Sequence, residues 1–353
     1  MAPRKSRPAE SVETDRVEGM PHPRETTRLV GQDAALGIVS HALRGRRPPG
    51  AWLLCGPPGV GKATLAYRIA RYLLAFGATD GGPAELAVPP NDAASIQVAA
   101  GSHPGLLVLK RGLNPDTGKL MSVLGVDEMS RLFGFFGMTS GAGGWRVVIV
   151  DTADDMNDNA ANALLKLLEE PPSRAMLLLL SNTPGRLLPT IRSRCQRLSL
   201  RPLNDRDMES ELARLLPEMS TSERAALATL AGGSLGAALR LASGEGVALA
   251  QEAVRLIDKS GTPDAPALFA LADKLARITD GLDMLGEFLH QALADRIRTR
   301  AIAGQPQMNK WVDALERLRR SFGRTDALHL DPRQTLLSAV RELNATTRRA
   351  GPI

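Results

Sequence analysis

The residues with the clearest chemistry lie in the stretch GPPGVGKAT, which spans residues 56 to 64. Gly56, Gly61 and Lys62 have the spacing G-x-x-x-x-G-K of a phosphate-binding loop. In such a loop, backbone N–H groups converge at the start of a helix, where the helix dipole and the lysine charge also attract anions. The stretch therefore predicts a nucleotide phosphate site, and a tight turn with a solvated lysine is the alternative interpretation.

Nucleotide hydrolysis requires more groups than phosphate binding does. Magnesium is held by a hydroxyl directly after the lysine and by an acid at a strand end, and a further residue positions the attacking water. Asp151 can supply the acid, although it can also be a helix-capping or loop carboxylate. Ala63 has no hydroxyl, and Thr64 lies about 100° further around the helix, so we expect Thr64 to point elsewhere. Thr152 occupies the position where a glutamate would usually orient water.

The elements around these residues predict an α/β domain. The apolar run AWLLC leads into the loop, and TLAYRIARYLLAF follows with apolar residues at helical spacing. Further strand candidates are GLLVLKR, the run from Val147 to Val150, and AMLLLLSNT. Four strands that alternate with helices predict a parallel, doubly wound sheet, whose ligands bind beyond the carboxyl ends of the strands. Residues 77–104, rich in Gly, Ala, Pro and Asp, are interpreted as an irregular insertion.

Beyond Pro202 the pattern becomes helical, because leucine and alanine recur every three or four residues. Asp331 and Pro332 indicate a helix start by the cap and the first-turn proline. We expect a disordered tail over residues 1–20, a phosphate-loop domain over 21–200, a helical lid over 201–260 and a C-terminal helical domain over 261–353.

Composition excludes several classes of protein. The chain has 353 residues with 44 Lys and Arg against 38 Asp and Glu, a mild positive excess that permits contact with a polyanion. With seven Phe, three Trp and two Tyr, it lacks the series of rings that a platform for single-stranded bases needs. Two cysteines outside any Cys-x-x-Cys pair indicate no disulfide framework and no zinc site. The mixed charges of the N-terminus and the lack of a long apolar run predict a cytoplasmic protein without a membrane span.

Together, these residues resemble the clamp-loader ATPases of the AAA+ class. The resemblance depends on segments that occur in the family's order: LVGQ from Leu29, GPPGVGK from Gly56, VVIVDTADDMN from Val147, NALLKLLEEPP from Asn162, and SRC from Ser193. It covers residues 21–200, and the helical remainder agrees in architecture only. It implies an AAA+ P-loop domain followed by a small helical lid and an all-α collar.

The resemblance also implies roles for single residues. In this family the arginine of SRC, here Arg194, reaches into the site of a neighbouring subunit. The alternative is a surface arginine or an internal salt-bridge partner. Asn182 matches the family's first sensor of the terminal phosphate, and an ordinary turn asparagine is its alternative. The candidate nucleotide-binding residues are Gly56, Gly59, Gly61, Lys62, Thr64, Asp151 and Asn182.

Three departures from the family pattern indicate lost hydrolysis. Besides Ala63 and Thr152, Gly236 stands where the lid carries a second sensing arginine, and Arg240 is a turn too late to replace it. We therefore expect a stator subunit that binds ATP weakly or not at all and helps load a sliding clamp onto primed DNA. The family often inserts a four-cysteine zinc module after the first helix, but residues 77–104 have no cysteine, so we expect no zinc.

The resemblance implies a hetero-pentamer with motor ATPase subunits and a delta subunit, in contact with the clamp and DNA. Two enzyme alternatives remain: an ATP-hydrolysing AAA+ motor, such as the motor subunit of the same assembly, and a small-molecule kinase. A kinase would leave SRC and the helical third of the chain unexplained. Whether the C-terminal helices form an intersubunit collar or an ordinary intramolecular bundle stays open at this point, as does direct DNA contact through basic residues such as Lys166.

Overall fold

The computed structural model describes residues 21–45, 48–79, 82–112, 121, 123–137, 144–242, 246–260, 265–278, 281–327 and 331–353. These residues form two compact units, with the division between Asp207 and Met208. The tail expected over residues 1–20 lies outside the described residues. The finer division of the second unit into a lid and a collar stays a prediction.

The first unit contains a parallel sheet. Its strands are β1 (Ala51–Cys55), β2 (Leu106–Leu109), β3 (Arg146–Val150), β4 (Ala175–Ser181) and β5 (Gln196–Ser199). They are paired in the order β2-β3-β4-β1-β5, and every pairing is parallel. The expected doubly wound α/β class is confirmed. β5 was not among the strand candidates, because only Leu198 of its four residues is buried at this edge of the sheet.

Helices of the first unit connect these strands. They are α1 (Asp33–Arg44), α2 (Lys62–Phe76), α3 (Ala93–Ala99), α4 (Val126–Gly137), α5 (Asp158–Glu169) and α6 (Pro189–Arg194). Two 3-10 turns follow β3 and β4, over Ala153–Asp155 and Pro184–Arg186. The interpretation of residues 77–104 as irregular was wrong over α3, where the Asp92 side chain caps the helix by accepting the Ala94 N–H.

Alternating side chains of the strands separate two cores. Trp52 and Leu54 of β1 pack on one face of the sheet, whereas Leu53 packs on the other. β3 and β4 alternate in the same way. The first face carries α1 and α2, and the second carries α4, α5 and α6. Burial on both faces explains the continuous apolar runs that made these strands recognisable in the sequence.

The second unit is helical within the described residues. α7 (Asp205–Leu215) spans the division, and it is followed by α8 (Thr221–Ala231), α9 (Leu235–Ala242), α10 (Gly246–Asp258), α11 (Ala265–Leu275), α12 (Gly281–Ile302), α13 (Met308–Ala327) and α14 (Pro332–Ala350). The predicted start of α14 is confirmed, since Asp331 is its cap and Pro332 its first residue. No described helix is both long and apolar enough to cross a bilayer.

Candidate nucleotide-phosphate site

The loop between β1 and α2 has the backbone that phosphate binding requires. Gly59 and Gly61 have φ angles of +76° and +100°, a conformation that glycine adopts without strain. Gly61 is the N-cap of α2 and has no capping side chain, so the first N–H groups of the helix have no partner within it. A Cβ on Gly61 would also lie 3.0 Å from Leu29 Cδ1. These open donors fit a phosphate group.

Lys62 is buried at the start of α2, with 6% of its surface exposed. Its Nζ donates to the carbonyl oxygens of Gly56 at 2.8 Å and Pro57 at 2.7 Å. The interpretation of Lys62 as a solvated lysine is therefore excluded. Burial lowers the pKa of Lys62 to about 8, against the carboxylates of Asp151 and Asp154, which favour the charged form. The ammonium is thus held beside the loop.

Asp151 directly follows β3, as predicted. Its N–H donates to Leu109 O at 2.8 Å, which extends the pairing of β3 with β2 by one residue. The influence of Asp151 on the Lys62 pKa shows that the two groups interact electrostatically across the carboxyl ends of the strands. The structure therefore brings Asp151 to the same end of the sheet as the phosphate loop.

Asp154 is a site residue that the sequence reasoning did not assign. One carboxylate oxygen accepts a hydrogen bond from Ser181 Oγ at 2.7 Å. The other accepts from the backbone N–H groups of Asn182 and of Thr183, the latter at 3.1 Å. The turn after β3 is thereby tied to the end of β4. The sequence does contain a signal for this contact. Asp154 and Asp155 shortly follow β3, and polar residues end the neighbouring strand β4.

Asn182 lies where the first sensor was expected. β4 is located between β3 and β1, and Ser181 is paired with Cys55, the last residue before the loop. Asn182 is exposed, while its backbone is fixed by Asp154. The carboxyl ends of three adjacent strands thus bring together the phosphate loop, Asn182 and Asp151. Which ligand these residues contact stays a prediction.

Gln32 is a second residue that the sequence reasoning missed. It is buried, and its side-chain amide donates to Arg201 O at 2.7 Å and to Val60 O at 3.4 Å. Its Oε1 accepts the Arg201 N–H at 3.3 Å. Gln32 therefore connects the phosphate loop to the chain that leaves β5. It belongs to the LVGQ segment, which had been used only for the resemblance.

The positions that depart from the hydrolytic pattern have local structural roles. Ala63 packs against the core on the α2 face of the sheet. Thr64 is half-buried in the first turn of α2. The Thr152 carbonyl accepts the Asp155 N–H at 3.1 Å, and Asp155 pairs with Arg111 at 3.2 Å. In the second unit, Arg240 pairs with Glu287 at 3.2 Å.

Arg194 is separated from the phosphate loop of its own chain. It ends α6, two residues before Gln196, which pairs with Trp52 at the start of β1. The loop follows the other end of β1, about 13 Å along a five-residue strand at about 3.3 Å per residue. The Arg194 guanidinium lies 2.9 Å from Glu169 Oε1 and 3.1 Å from Thr190 O, with 36% of the side chain exposed. The salt-bridge alternative for Arg194 therefore describes an observed contact.

No metal site is visible among the described residues, where no group of three or more His, Cys, Asp or Glu side chains could hold an ion. Both cysteines are free thiols. Burial raises the pKa of Cys195 to about 12, so this thiol stays protonated at neutral pH. The expectation that zinc is absent stays a prediction.

The region that contains this site is similar to known proteins. Residues 31–204 match the family model described as DNA polymerase III, delta subunit. The DNA polymerase III subunit delta' of Pseudomonas aeruginosa is 41% identical over 198 residues, which cover 56% of each chain. The same subunit of Escherichia coli is 36% identical over 197 residues, with 55% of each chain covered. The chain thus aligns with about half the length of these curated relatives.

A solved structure also overlaps with most of the chain. It is a DNA polymerase III, gamma subunit-related protein from Thermotoga maritima, with a TM-score of 0.42 and 18% identity. The overlap covers 89% of this chain and 100% of that chain. The α/β class assigned above comes from the observed sheet and not from this overlap.

Proposed function

Residues 31–204 of this chain belong to the DNA polymerase III delta subunit family, and from this premise we propose that the chain is a delta prime-type stator subunit of a clamp loader. In this role it helps to place a sliding clamp on primed DNA. Its partners are motor ATPase subunits and a delta subunit in a hetero-pentamer. It contributes Arg194 to the nucleotide site of a neighbouring subunit and does not hydrolyse ATP itself.

The observation that carries this proposal is the position of Arg194. The arginine is half-exposed and lies near the start of β1, whereas Lys62 and its loop follow the end of that strand. A guanidinium that acts on a γ-phosphate must come within hydrogen-bonding distance of it. Arg194 is too far from its own loop for this, so its position supports an action on a second molecule.

The phosphate loop supports weak nucleotide binding without turnover. Gly59, Gly61 and Lys62 together provide open N–H donors and a buried ammonium that could hold the phosphates of ATP. Ala63 lacks the hydroxyl that holds magnesium, and Thr152 lacks a carboxylate to orient water. ATP would therefore bind to the first unit through its phosphates without being hydrolysed.

The experiment that tests this function measures ATP turnover by the motor subunits, reconstituted with clamp, primed DNA and this chain. The chain is supplied as wild type, Arg194→Ala or Arg194→Lys, and the chain alone is the control. We expect the chain alone to be inactive, and Arg194→Ala to lower the turnover of the assembly while the subunits still co-elute. Equal turnover with wild type and Arg194→Ala would exclude the trans role.

An ATP-hydrolysing motor subunit is the second candidate. The DNA polymerase III subunit gamma/tau of Mycobacterium tuberculosis is 32% identical over 201 residues, which supports this possibility. ATP hydrolysis by the chain alone in the same experiment would identify a motor subunit. Loss of that activity in a Lys62→Ala variant would assign the turnover to this loop.

A further inference from the structure

Arg68 and Arg71 lie on one face of α2, three residues apart, away from the end that binds phosphate. Arg71 is only 3% exposed. Its Nη2 donates to Thr26 O at 2.6 Å and its Nε to Tyr67 O at 3.3 Å. Arg68 donates to Glu85 O through Nε and Nη2, at 3.0 and 2.7 Å, and to Thr27 O through Nη1. Both guanidiniums therefore bind main-chain carbonyls.

Neither guanidinium forms an ion pair with a carboxylate within the described residues. The Glu85 carboxylate acts on Arg68 from a greater distance, and its close contact with Arg68 is through the backbone. Burial, together with the neighbouring charge of Arg68, lowers the pKa of Arg71 to about 10. Arg71 is thus a charge taken out of water without a counter-ion, and it lies beside the like charge of the half-buried Arg68. This arrangement is costly, so the site favours a bound anion.

A cavity of about 40 Å³ adjoins both arginines. It is lined by Thr27, Arg68, Arg71, Leu86, Ala87 and Val88. Leu86 is fully buried with a φ of +53°, an uncommon conformation for a leucine, and it fixes the turn next to the Glu85 carbonyl. Since one water needs about 10–15 Å³ measured in this way, the cavity has room for about three waters or one small oxyanion.

We propose that Arg68 and Arg71 form a binding site for one tetrahedral oxyanion, phosphate above all, in the cavity between α2 and residues 86–88. The fork of donors on a guanidinium matches the oxygen spacing of a phosphate. Each arginine keeps N–H donors beyond those bound to carbonyls, because a guanidinium has five. The anion would hold residues 26–27 and 85–88 against α2. The proposal does not depend on the function of the phosphate loop.

The test uses the full-length chain with Lys62→Ala, so that the phosphate loop does not bind the probe strongly. Equilibrium dialysis with radiolabelled inorganic phosphate measures binding, and thermal denaturation measures Tm at increasing phosphate. We expect one saturable phosphate per chain, competition by sulfate, and a Tm that rises with the logarithm of the phosphate concentration. Glycerol 1-phosphate, assayed in parallel, shows whether the site takes a free anion or the phosphate group of a larger molecule. Binding of either ligand supports the site.

Arginine variants in the same background locate the site. Arg68→Gln and Arg71→Gln should each weaken phosphate binding about tenfold or more, as expected for the loss of a charge-assisted hydrogen bond. Arg44→Gln is the matched control, because Arg44 Nη2 also donates to a main-chain carbonyl, Gly82 O at 2.8 Å, but Arg44 does not line the cavity. It should keep the phosphate affinity.

Circular dichroism without phosphate shows whether each variant folds. If Arg71→Gln does not fold, the half-buried Arg68→Gln decides the test. The proposal is overturned if the Lys62→Ala chain shows no saturable binding of phosphate. It is also overturned if the arginine variants bind phosphate as tightly as the Arg44→Gln control, since the two arginines would then serve only to hold the backbone.

Discussion

The Arg194 guanidinium lies 2.9 Å from the Glu169 carboxylate, so the last residue of α6 is held by the last residue of α5. Both side chains are partly exposed, at 36% for Arg194 and 53% for Glu169. Exposed ion pairs of this kind contribute about 0–1 kcal/mol to stability. The carboxylate therefore holds Arg194 only weakly. A phosphate group on a neighbouring subunit could replace it at little energetic cost.

The first prediction concerns this pair. Glu169→Gln should change the free energy of unfolding by less than about 1 kcal/mol, because the pair is solvated. In the reconstituted clamp loader it should preserve most of the ATP turnover, whereas Arg194→Ala should lower turnover about 10³-fold or more at the one neighbouring site that we propose Arg194 serves. Urea denaturation and ATP turnover measure the two effects. A loss with Glu169→Gln as large as with Arg194→Ala would mean that Arg194 acts only through its salt bridge.

The second prediction is a pH dependence of nucleotide affinity. A phosphate in the loop would be bound by Lys62 as the ammonium, and the pKa of Lys62 is lowered to about 8. Affinity for a nucleoside triphosphate should therefore fall as pH rises, by about tenfold between pH 7 and pH 9, in proportion to the charged fraction. Lys62→Arg stays charged and should remove the dependence. Calorimetric titration across this range is the measurement, and an equal slope in both proteins would assign the titration to another group.

The same pKa has a consequence for folding. The folded-state pKa of Lys62, about 8, is below its ordinary value of 10.5, so the unfolded chain binds more protons between these values. The contribution of Lys62 to stability should then rise with pH from about 8 to 10.5. Comparison of wild type with Lys62→Met by urea denaturation isolates this contribution. A difference between the two proteins that is constant over this range would contradict the lowered pKa.

The central strands of the sheet could be predicted from the sequence, whereas the contacts between distant parts of the chain could not. β1, β3 and β4 are buried on both faces, so each is a continuous apolar run. The phosphate loop follows β1, Asp151 follows β3, and Asn182 follows β4. The edge strand β5 has no such run. The partners of Asp154 are 27 to 29 residues away in the sequence, and a partner of Gln32 is 169 residues away. Such pairs become visible only once the order of the strands in the sheet is known, so the sequence alone did not identify them.

The fourth prediction tests the contact that connects two strand ends. Asp154→Asn removes a charged acceptor from Ser181 Oγ and from two backbone N–H groups, so we expect a loss of about 1–3 kcal/mol in the free energy of unfolding. Asp158→Asn is the matched control, because Asp158 is an exposed first-turn residue of α5 whose loss should cost about 0.3–1 kcal/mol. Equal losses in urea denaturation would show that Asp154 contributes no more than a surface carboxylate.

The last prediction restores a missing group. Ala63→Ser puts a hydroxyl directly after Lys62, where magnesium is held in a hydrolytic loop, so nucleotide affinity should become stronger with magnesium than without it. ATP hydrolysis should still be absent, because Thr152 cannot orient water. The double variant with Thr152→Glu is therefore the one in which slow turnover is expected.

Thr64→Val provides the control, since it removes the hydroxyl one residue further along α2. If Thr64 points away from the metal position, this variant should bind nucleotide as the wild type does, with or without magnesium. Calorimetric titrations with and without magnesium measure this for all variants. Loss of affinity in Thr64→Val would mean that Thr64 supplies the hydroxyl after all. Turnover in Ala63→Ser alone would mean that the missing hydroxyl, and not the missing acid at position 152, is what prevents hydrolysis.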